Sequence, residues 1–325
     1  MIFLALGACL ALAAFLTVSL GVSLLVLLVW GVAERNLEGA APAARAGSLF
    51  LLRMWPAAAA TVVVFGIFLP AFYAFEPRET AESVGPSLLA LAALAVLLIA
   101  GALARAWRAS HSTRQLVGDW LKTAQPVHVP GTSVRVVSID ADFPVVSVEG
   151  ILRPRLFISR RVLAECTPEE LSAMVRHECG HIASADNLKR LAFRLAADPL
   201  SFTRPGRELE ERWYDASEEV ADDFTARTSP RAALALAHAL VRVARMAPGG
   251  RMMLPLPSLD GGDSIERRVR RLLGHEPSAR GRGGWVVAVR TLVALPLVLA
   301  LAVLLDPHLL RGVHQLIEAV VEILP

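Results

Sequence analysis

Long uncharged stretches of apolar residues dominate the first third of the chain, and another lies near its end. Each approaches or exceeds the roughly 20 residues that a helix needs to cross ~30 Å of hydrocarbon. The first stretch is far longer than the core of a secretion signal and has no basic segment before it, so we expect it to span the membrane. The pattern predicts four transmembrane helices, at residues 2–32, 57–75, 87–104 and 285–305.

The roughly 180 residues between the third and fourth stretches have a mixed pattern that suits one compact domain. Short segments rich in β-branched residues predict strands at 133–139, 144–149 and 156–159. Longer periodic segments predict helices at 168–183, 187–197, 206–227 and 230–245. After the fourth span, apolar residues recur at helical spacing from Leu309 to Val321 and predict an amphipathic helix. We therefore expect three units, at residues 1–115, 116–284 and 285–325.

Arginine placement predicts how the spans are oriented. Arginines follow the first and third spans and precede the fourth, whereas the link at residues 76–82 has one arginine and three glutamates. By the positive-inside rule, the segment between the third and fourth spans is cytoplasmic and both termini lie outside. The expected location is a bacterial-type inner or plasma membrane.

The composition gives a net charge of +3, with 33 basic and 30 acidic residues. Because the basic residues cluster beside the predicted spans, anionic lipid is a better-matched partner than nucleic acid. The run 266–273 is expected to serve both as a juxtamembrane anchor and as a helix that packs on the core. Three cysteines are too few to predict a disulfide framework.

The segment His177-Glu178-Cys179-Gly180-His181 has the HExxH spacing of zinc peptidases. On a helix, residues four apart share one face, so both imidazoles can reach one Zn²⁺ ion while Glu178 projects beside it. Catalytic zinc takes three protein ligands and keeps a fourth position for water. Glu178 is therefore the candidate general base.

The flanks of this motif predict that it lies on a helix. Thr167 is a suitable N-cap, Pro168 suits the first helical position and Glu170 completes a capping box. A third ligand is expected from a downstream helix, and the acidic segment 218–223 is the candidate. Glu218 and Asp222 lie four residues apart, so one can bind the metal while the other orients a histidine ring. A solvated acidic helix face is the alternative.

Residues 134–226 resemble membrane-embedded zinc peptidases of the BlaR/MecR antirepressor type and, more distantly, those of the HtpX and CAAX-protease type. The matching segments, in the family's order, are 150–155, 167–171, His177 to His181, Asp186-Asn187, and Glu218 with Ala221-Asp222. The resemblance implies an α-helical membrane protein with an α+β zincin-like (gluzincin) cytoplasmic domain and a small β-sheet. It also implies that His177, His181 and Glu218 bind zinc, with Glu178 as general base. The doubled Glu218-Glu219 leaves Glu219 as an alternative ligand.

The expected activity is hydrolysis of a protein or peptide near the membrane, with regulatory proteolysis favoured. A quality-control protease of the HtpX type and a non-catalytic zinc-binding scaffold are the alternatives. A direct β-lactam receptor role is not expected, because the chain has neither a Ser-x-x-Lys motif nor the extracellular domain of the family's sensor members. The Pro/Gly/Met-rich segment 247–262 is expected to be a lid or a connector. The sequence predicts no oligomeric state.

Overall fold

Helices form most of the protein, and a small sheet lies between the third and fourth membrane-length helices. The structure, a computed structural model, describes residues 2–77, 84–129, 132, 134–141, 143–246, 262–274 and 283–323. The α-helices in chain order are α1 (Ile2–Leu37), α2 (Pro42–Val63), α3 (Leu69–Phe75), α4 (Pro86–Lys122), α5 (Arg160–Glu165), α6 (Pro168–Ala183), α7 (Asp186–Leu195), α8 (Arg204–Ala226), α9 (Pro230–Met246), α10 (Gly262–Leu272), α11 (Gly283–Leu305) and α12 (Pro307–Ile323).

Four helical segments among the described residues are long and apolar enough to cross a membrane, and each contains one of the four predicted apolar stretches. They are α1, the helix from α2 through α3, α4, and α11. Large apolar side chains on these helices are exposed, including Leu28 at 80% and Leu97 at 68%. Such exposure suits a lipid environment, because soluble proteins rarely expose large contiguous apolar patches. All four helices approach or exceed the predicted lengths, and α4 extends 18 residues past residue 104, to Lys122.

The second membrane-length helix is nearly continuous but contains one π-helical turn, Val64–Phe68, between α2 and α3. Pro70 is the second residue after this turn. Proline has no backbone N–H, so it cannot donate the hydrogen bond that an α-helix requires at that position. The π turn is the kind of local adjustment that such a proline produces in a long helix.

The sheet has four strands in the order β1-β2-β4-β3. They are β1 (Gln125–Val127), β2 (Arg135–Ile139), β3 (Val146–Glu149) and β4 (Arg155–Ser159). Strands β2 and β4 are parallel, while β1 and β3 pair antiparallel at the two edges. Three strands were predicted within one or two residues. Strand β1 was not predicted, and its Pro126 is tolerated because β1 is an edge strand.

Two hydrophobic clusters support the central part of the chain. One joins the sheet to α6 and α9, with Leu156, Ile158 and Val175 at its centre. The other combines side chains of α1, α2 and α11 with Phe193 of α7 and with Trp213 and its neighbours on α8. The membrane-length helices therefore share a hydrophobic core with helices of the predicted 116–284 unit.

A buried ion-pair cluster reinforces this junction. The guanidinium of Arg53 on α2 is 1% exposed and donates two hydrogen bonds to the Asp198 carboxylate, at 2.9 and 3.1 Å. It also donates to Glu210 Oε1 of α8 at 2.8 Å and to Ser201 Oγ at 2.9 Å. Arg53 was predicted to be one of the arginines that orient the spans. In the structure, its side chain joins α2 to α8.

The C-terminal amphipathic helix is confirmed as α12, and it packs against α3 through residues that include Ile317. Residues 247–261 of the predicted lid or connector lie outside the described residues. The run 266–273 falls largely on α10, and its basic side chains contact protein carboxylates. Arg268 and Arg271 form ion pairs with acidic residues of α8, rather than serving only as an anchor for lipid.

Candidate metal centre

The HExxH segment lies on α6, as predicted, and the start of that helix is fixed by local hydrogen bonds. Thr167 Oγ1 accepts from the Glu170 N–H at 3.2 Å, and Glu170 Oε2 accepts from the Thr167 N–H at 2.9 Å, which completes the capping box. The following residues Ala173, Met174 and Val175 are buried in the cluster with the sheet. This packing fixes the rotation of α6 and turns the motif face towards α8.

Glycine allows α6 and α8 to approach each other closely at the motif. A Cβ placed on Gly180 would lie 3.0 Å from the Cα of Ala221 and 3.2 Å from the Cβ of both Ala221 and Phe224. These separations are shorter than the ordinary contact distance of 3.5–4.0 Å. Gly180 is therefore the residue that brings the histidines of α6 within reach of Glu218, one turn away on α8.

His177, His181 and Glu218 converge on one point, and their ligand atoms all lie within 4.8 Å of one another. The Nε2 atoms of His177 and His181 lie 3.3 Å and 3.4 Å from the two oxygens of Glu218. Two tetrahedral ligands at the usual zinc distances of ~2.0–2.1 Å are separated by roughly 3.3–3.4 Å. The nitrogen and carboxylate donors therefore fit zinc in both chemistry and spacing.

The opposite nitrogen of each ring contacts a second carboxylate. His181 Nδ1 forms a hydrogen bond with Asp186 Oδ2 at 2.8 Å. His177 Nδ1 lies 3.0 Å from Asp222 Oδ1, an ion-pair distance at an angle outside that of a hydrogen bond. Such carboxylates hold a metal-binding histidine with its Nε2 directed at the metal. Asp222 thus occupies the position that its spacing from Glu218 predicted.

Arg268 of α10 contacts the two carboxylates that α8 contributes to this group. Its guanidinium contacts Asp222 twice at 2.8 Å and Glu218 Oε2 at 3.0 Å. Burial alone would raise the pKa of these carboxyls, but Arg268 and the neighbouring histidines together outweigh burial. They lower the pKa of Asp222 to about 2 and that of Glu218 well below its usual range. Both groups therefore remain ionised at neutral pH.

The same carboxylates favour protonation of the histidines when no metal is bound. Burial alone would lower the pKa of both rings, but contacts with Asp222 and Glu218 raise that of His177. The nearby Glu218 and Asp186 carboxylates raise the pKa of His181 to about 10. Because zinc binds the neutral ring, its binding must release these protons.

Glu178 lies between the metal-binding face and the edge strand β3. Its Oε2 accepts a hydrogen bond from the Val148 N–H at 3.0 Å. Burial raises the pKa of its carboxyl, while the two neighbouring histidines oppose that increase. Asn187 donates to the carbonyls of Val148 and Gly150, both at 3.1 Å, and so joins β3 to the start of α7.

Glu219, the alternative ligand, faces away from this group. Its carboxylate contacts Arg45 of α2 at 2.6 Å and Arg271 of α10 at 3.8 Å. The turn of roughly 100° between successive helical residues separates it from Glu218. The structure thus brings His177, His181 and Glu218 together and places Glu219 in the contact with α2.

Two residues of this site, Asp186 and Arg268, had no predicted role. Asp186 was noted only as part of the family resemblance, and its position just after the motif helix was the available signal. Arg268 lies in a run of four arginines. Nothing in that run distinguishes the buried arginine from its exposed neighbours, since the distinction depends on how α10 docks on α8.

A scan of the chain against protein-family models and a search of curated proteins found no match. The geometry and chemistry of the site therefore carry the functional assignment that follows.

Proposed function

We propose that this protein is a membrane-embedded zinc metalloendopeptidase. The observation that supports this most directly is the convergence of His177, His181 and Glu218 beside Glu178. A structural zinc site is usually closed by four protein ligands, whereas a catalytic site has three and an open position. Among the described residues this group contains three ligands. The carboxylate of Glu178 lies beside the group and is not one of its ligands.

Zinc bound to these three residues would supply a Lewis acid that activates water and polarises the scissile carbonyl. Glu178 accepts the proton of the attacking water and passes it to the leaving amine. The raised pKa of Glu178 suits both steps. A carboxylate with a very low pKa is a weak base, and its protonated form does not persist long enough to donate the proton. The Val148 N–H orients its carboxylate. Asp222 and Asp186 hold the two histidine rings.

The substrate is expected to be an extended peptide segment of a protein near the membrane. Strand β3 is an edge strand that contacts α6 directly, so a peptide strand can pair beside it and reach the metal centre. The N–H and C=O of Val148, which point away from β4, already form hydrogen bonds with Glu178 and Asn187. The N–H and C=O of Val146 point to the same side of the strand, two residues away. Pairing is therefore expected to begin at Val146.

The family resemblance favours a zincin-like domain of the BlaR/MecR type and regulatory cleavage of a cytoplasmic protein. The arginine asymmetry favours a metal centre on the cytoplasmic side and both termini outside. Fusions to alkaline phosphatase test this orientation. A fusion after Arg114 should be inactive and one after Pro325 active, and the reverse result would reject a cytoplasmic substrate.

The decisive experiment replaces the proposed base. Glu178→Gln should leave the zinc content unchanged, because the three ligands remain, while cleavage of casein or of the protein itself falls by about 10²–10⁴-fold. Glu169→Gln, an exposed change on the same helix, is the matched control and should retain wild-type activity. Wild-type cleavage by Glu178→Gln would refute the mechanism. The inactive variant can then capture the substrate from membranes.

A further inference from the structure

A second group of metal-binding side chains lies far from the HExxH centre. It consists of Glu76, which directly follows α3, and of His314 and Glu318, which are one turn apart on α12. One ligand atom from each residue lies within 4.8 Å of the other two. We propose that this group binds a divalent transition-metal ion and holds α12 against the end of α3.

The contacts within this group are longer than direct hydrogen bonds, which are usually shorter than about 3.2 Å. His314 Nδ1 lies 4.0 Å from Glu76 Oε2, and the other ring nitrogen, Nε2, lies 3.7 Å from Glu318 Oε1. The Nδ1 atom is buried and has no hydrogen-bond partner among the described residues. An ion bound to Nδ1 beside Glu76 would satisfy that atom. The Glu318 side chain, which is 48% exposed, would complete the site by turning towards the ion.

The surroundings hold the three side chains in place. The Glu76 side chain is 4% exposed and that of His314 is 14% exposed. The His314 ring packs on Phe75 at a centroid distance of 5.7 Å, and Ile317 of the same helix joins the cluster of α1 and α3. One imidazole and two carboxylates are ligands that Zn²⁺, Mn²⁺ and Fe²⁺ accept, and the absence of a thiolate disfavours softer ions.

This second site and the HExxH centre lie at opposite ends of the membrane-length helices. The helix Pro42–Phe75 has 34 residues and therefore spans roughly 50 Å at 1.5 Å per residue. Arg45 near its start contacts Glu219, beside the first centre, and Glu76 follows its last residue. The two ions would thus bind at opposite faces of the membrane. The second site is independent of the proposed protease activity.

Zinc binding by the full-length protein in detergent tests the proposal. A background with His177→Ala and His181→Ala removes the first centre, so the zinc that remains reports the second. We expect about one zinc ion per chain after equilibration with micromolar Zn²⁺ and gel filtration, and none when His314→Ala is added. His308→Ala is the matched control, because His308 is an exposed histidine on the same helix. It should retain the zinc.

Glu318→Gln provides a variant that should keep its fold, because the Glu318 side chain is 48% exposed. It should weaken zinc binding by about tenfold or more. Zinc should also raise the thermal unfolding temperature of the background protein, and this shift should disappear with His314→Ala. The proposal is overturned if the background binds no zinc, or if His314→Ala and His308→Ala bind equal amounts.

Discussion

Gly180 provides the most direct test of how the fold builds the metal centre. Replacing it by alanine adds one methyl group at the closest approach of α6 and α8. The new Cβ would lie 3.0 Å from the Cα of Ala221 and 3.2 Å from the Cβ of Phe224. To reach ordinary contact distances, the two helices must separate by roughly half an ångström. This movement carries His177 and His181 away from Glu218.

The expected effect on zinc is larger than the effect on folding. Metal–ligand distances tolerate only about ±0.2 Å, which is less than the required separation. Adding a methyl group to a packed interface costs about 1–3 kcal/mol. In the metal-free protein the two helices can move apart to accommodate the methyl group, whereas zinc binding requires them to stay close. If the zinc-bound state alone is destabilised by this amount, zinc affinity falls by roughly 5- to 150-fold, at about 1.4 kcal/mol per factor of ten. The protein itself should remain folded.

The assay is a competitive zinc titration against a chromophoric chelator, combined with thermal unfolding to show that the variant is folded. Gly118→Ala is the matched control, since that helical glycine has no atoms within 4 Å of an added Cβ. Ala221→Gly in combination with Gly180→Ala removes one of the three contacts and should restore part of the affinity. Wild-type zinc affinity in Gly180→Ala would refute the packing argument.

Three further predictions concern charges at the centre. Arg268→Met should destabilise the metal-free protein by about 3–5 kcal/mol, because it leaves buried carboxylates without a partner. Arg267→Met, whose side chain is 44% exposed, should change stability by less than about 1 kcal/mol in the same denaturant titrations. Glu218→Ala should lower zinc affinity by about tenfold or more, while Glu219→Ala retains most of it, as measured by zinc titration. The pKa of His181 is raised to about 10 from its ordinary value near 6.5, so protonated His181 stabilises the metal-free fold, fully so below pH ~6.5. The unfolding temperature of the metal-free protein should therefore fall between pH 7 and pH 10. Zinc, by replacing the proton, should remove that decrease.

The helices were predictable because their signals are local. The caps at Thr167 and Pro168 and the apolar periodicity define α6 without any knowledge of its neighbours. The four spans are equally local, since each depends on the length of one apolar run. The convergence of His177, His181 and Glu218 also agrees with the spacing within each motif, because each helix places its own residues on one face.

The remaining parts of the structure depend on contacts between distant segments. Strand β1 has three residues and exists through its pairing with β2, so its sequence carries little strand signal. Arg268 differs from the arginines beside it because the docking of α10 on α8 buries it against Asp222. The core that α1, α2 and α11 share with α7 and α8 was not predicted, for the same reason. Trp213 has an ordinary amphipathic position on α8, and nothing local indicates that membrane-length helices cover it.

The position of α8 explains why these membrane helices matter for the metal centre. One face of α8 presents Glu218 to the histidines, and another buries Trp213 among residues of α1 and α2. Arg53 of α2 binds Glu210 on the same helix, two turns before Glu218. Because a helix transmits displacement as a rigid element, a shift of α2 moves the Glu218 carboxylate relative to α6. Zinc geometry tolerates only a few tenths of an ångström. The membrane-length helices therefore help to set the geometry of the proposed metal centre.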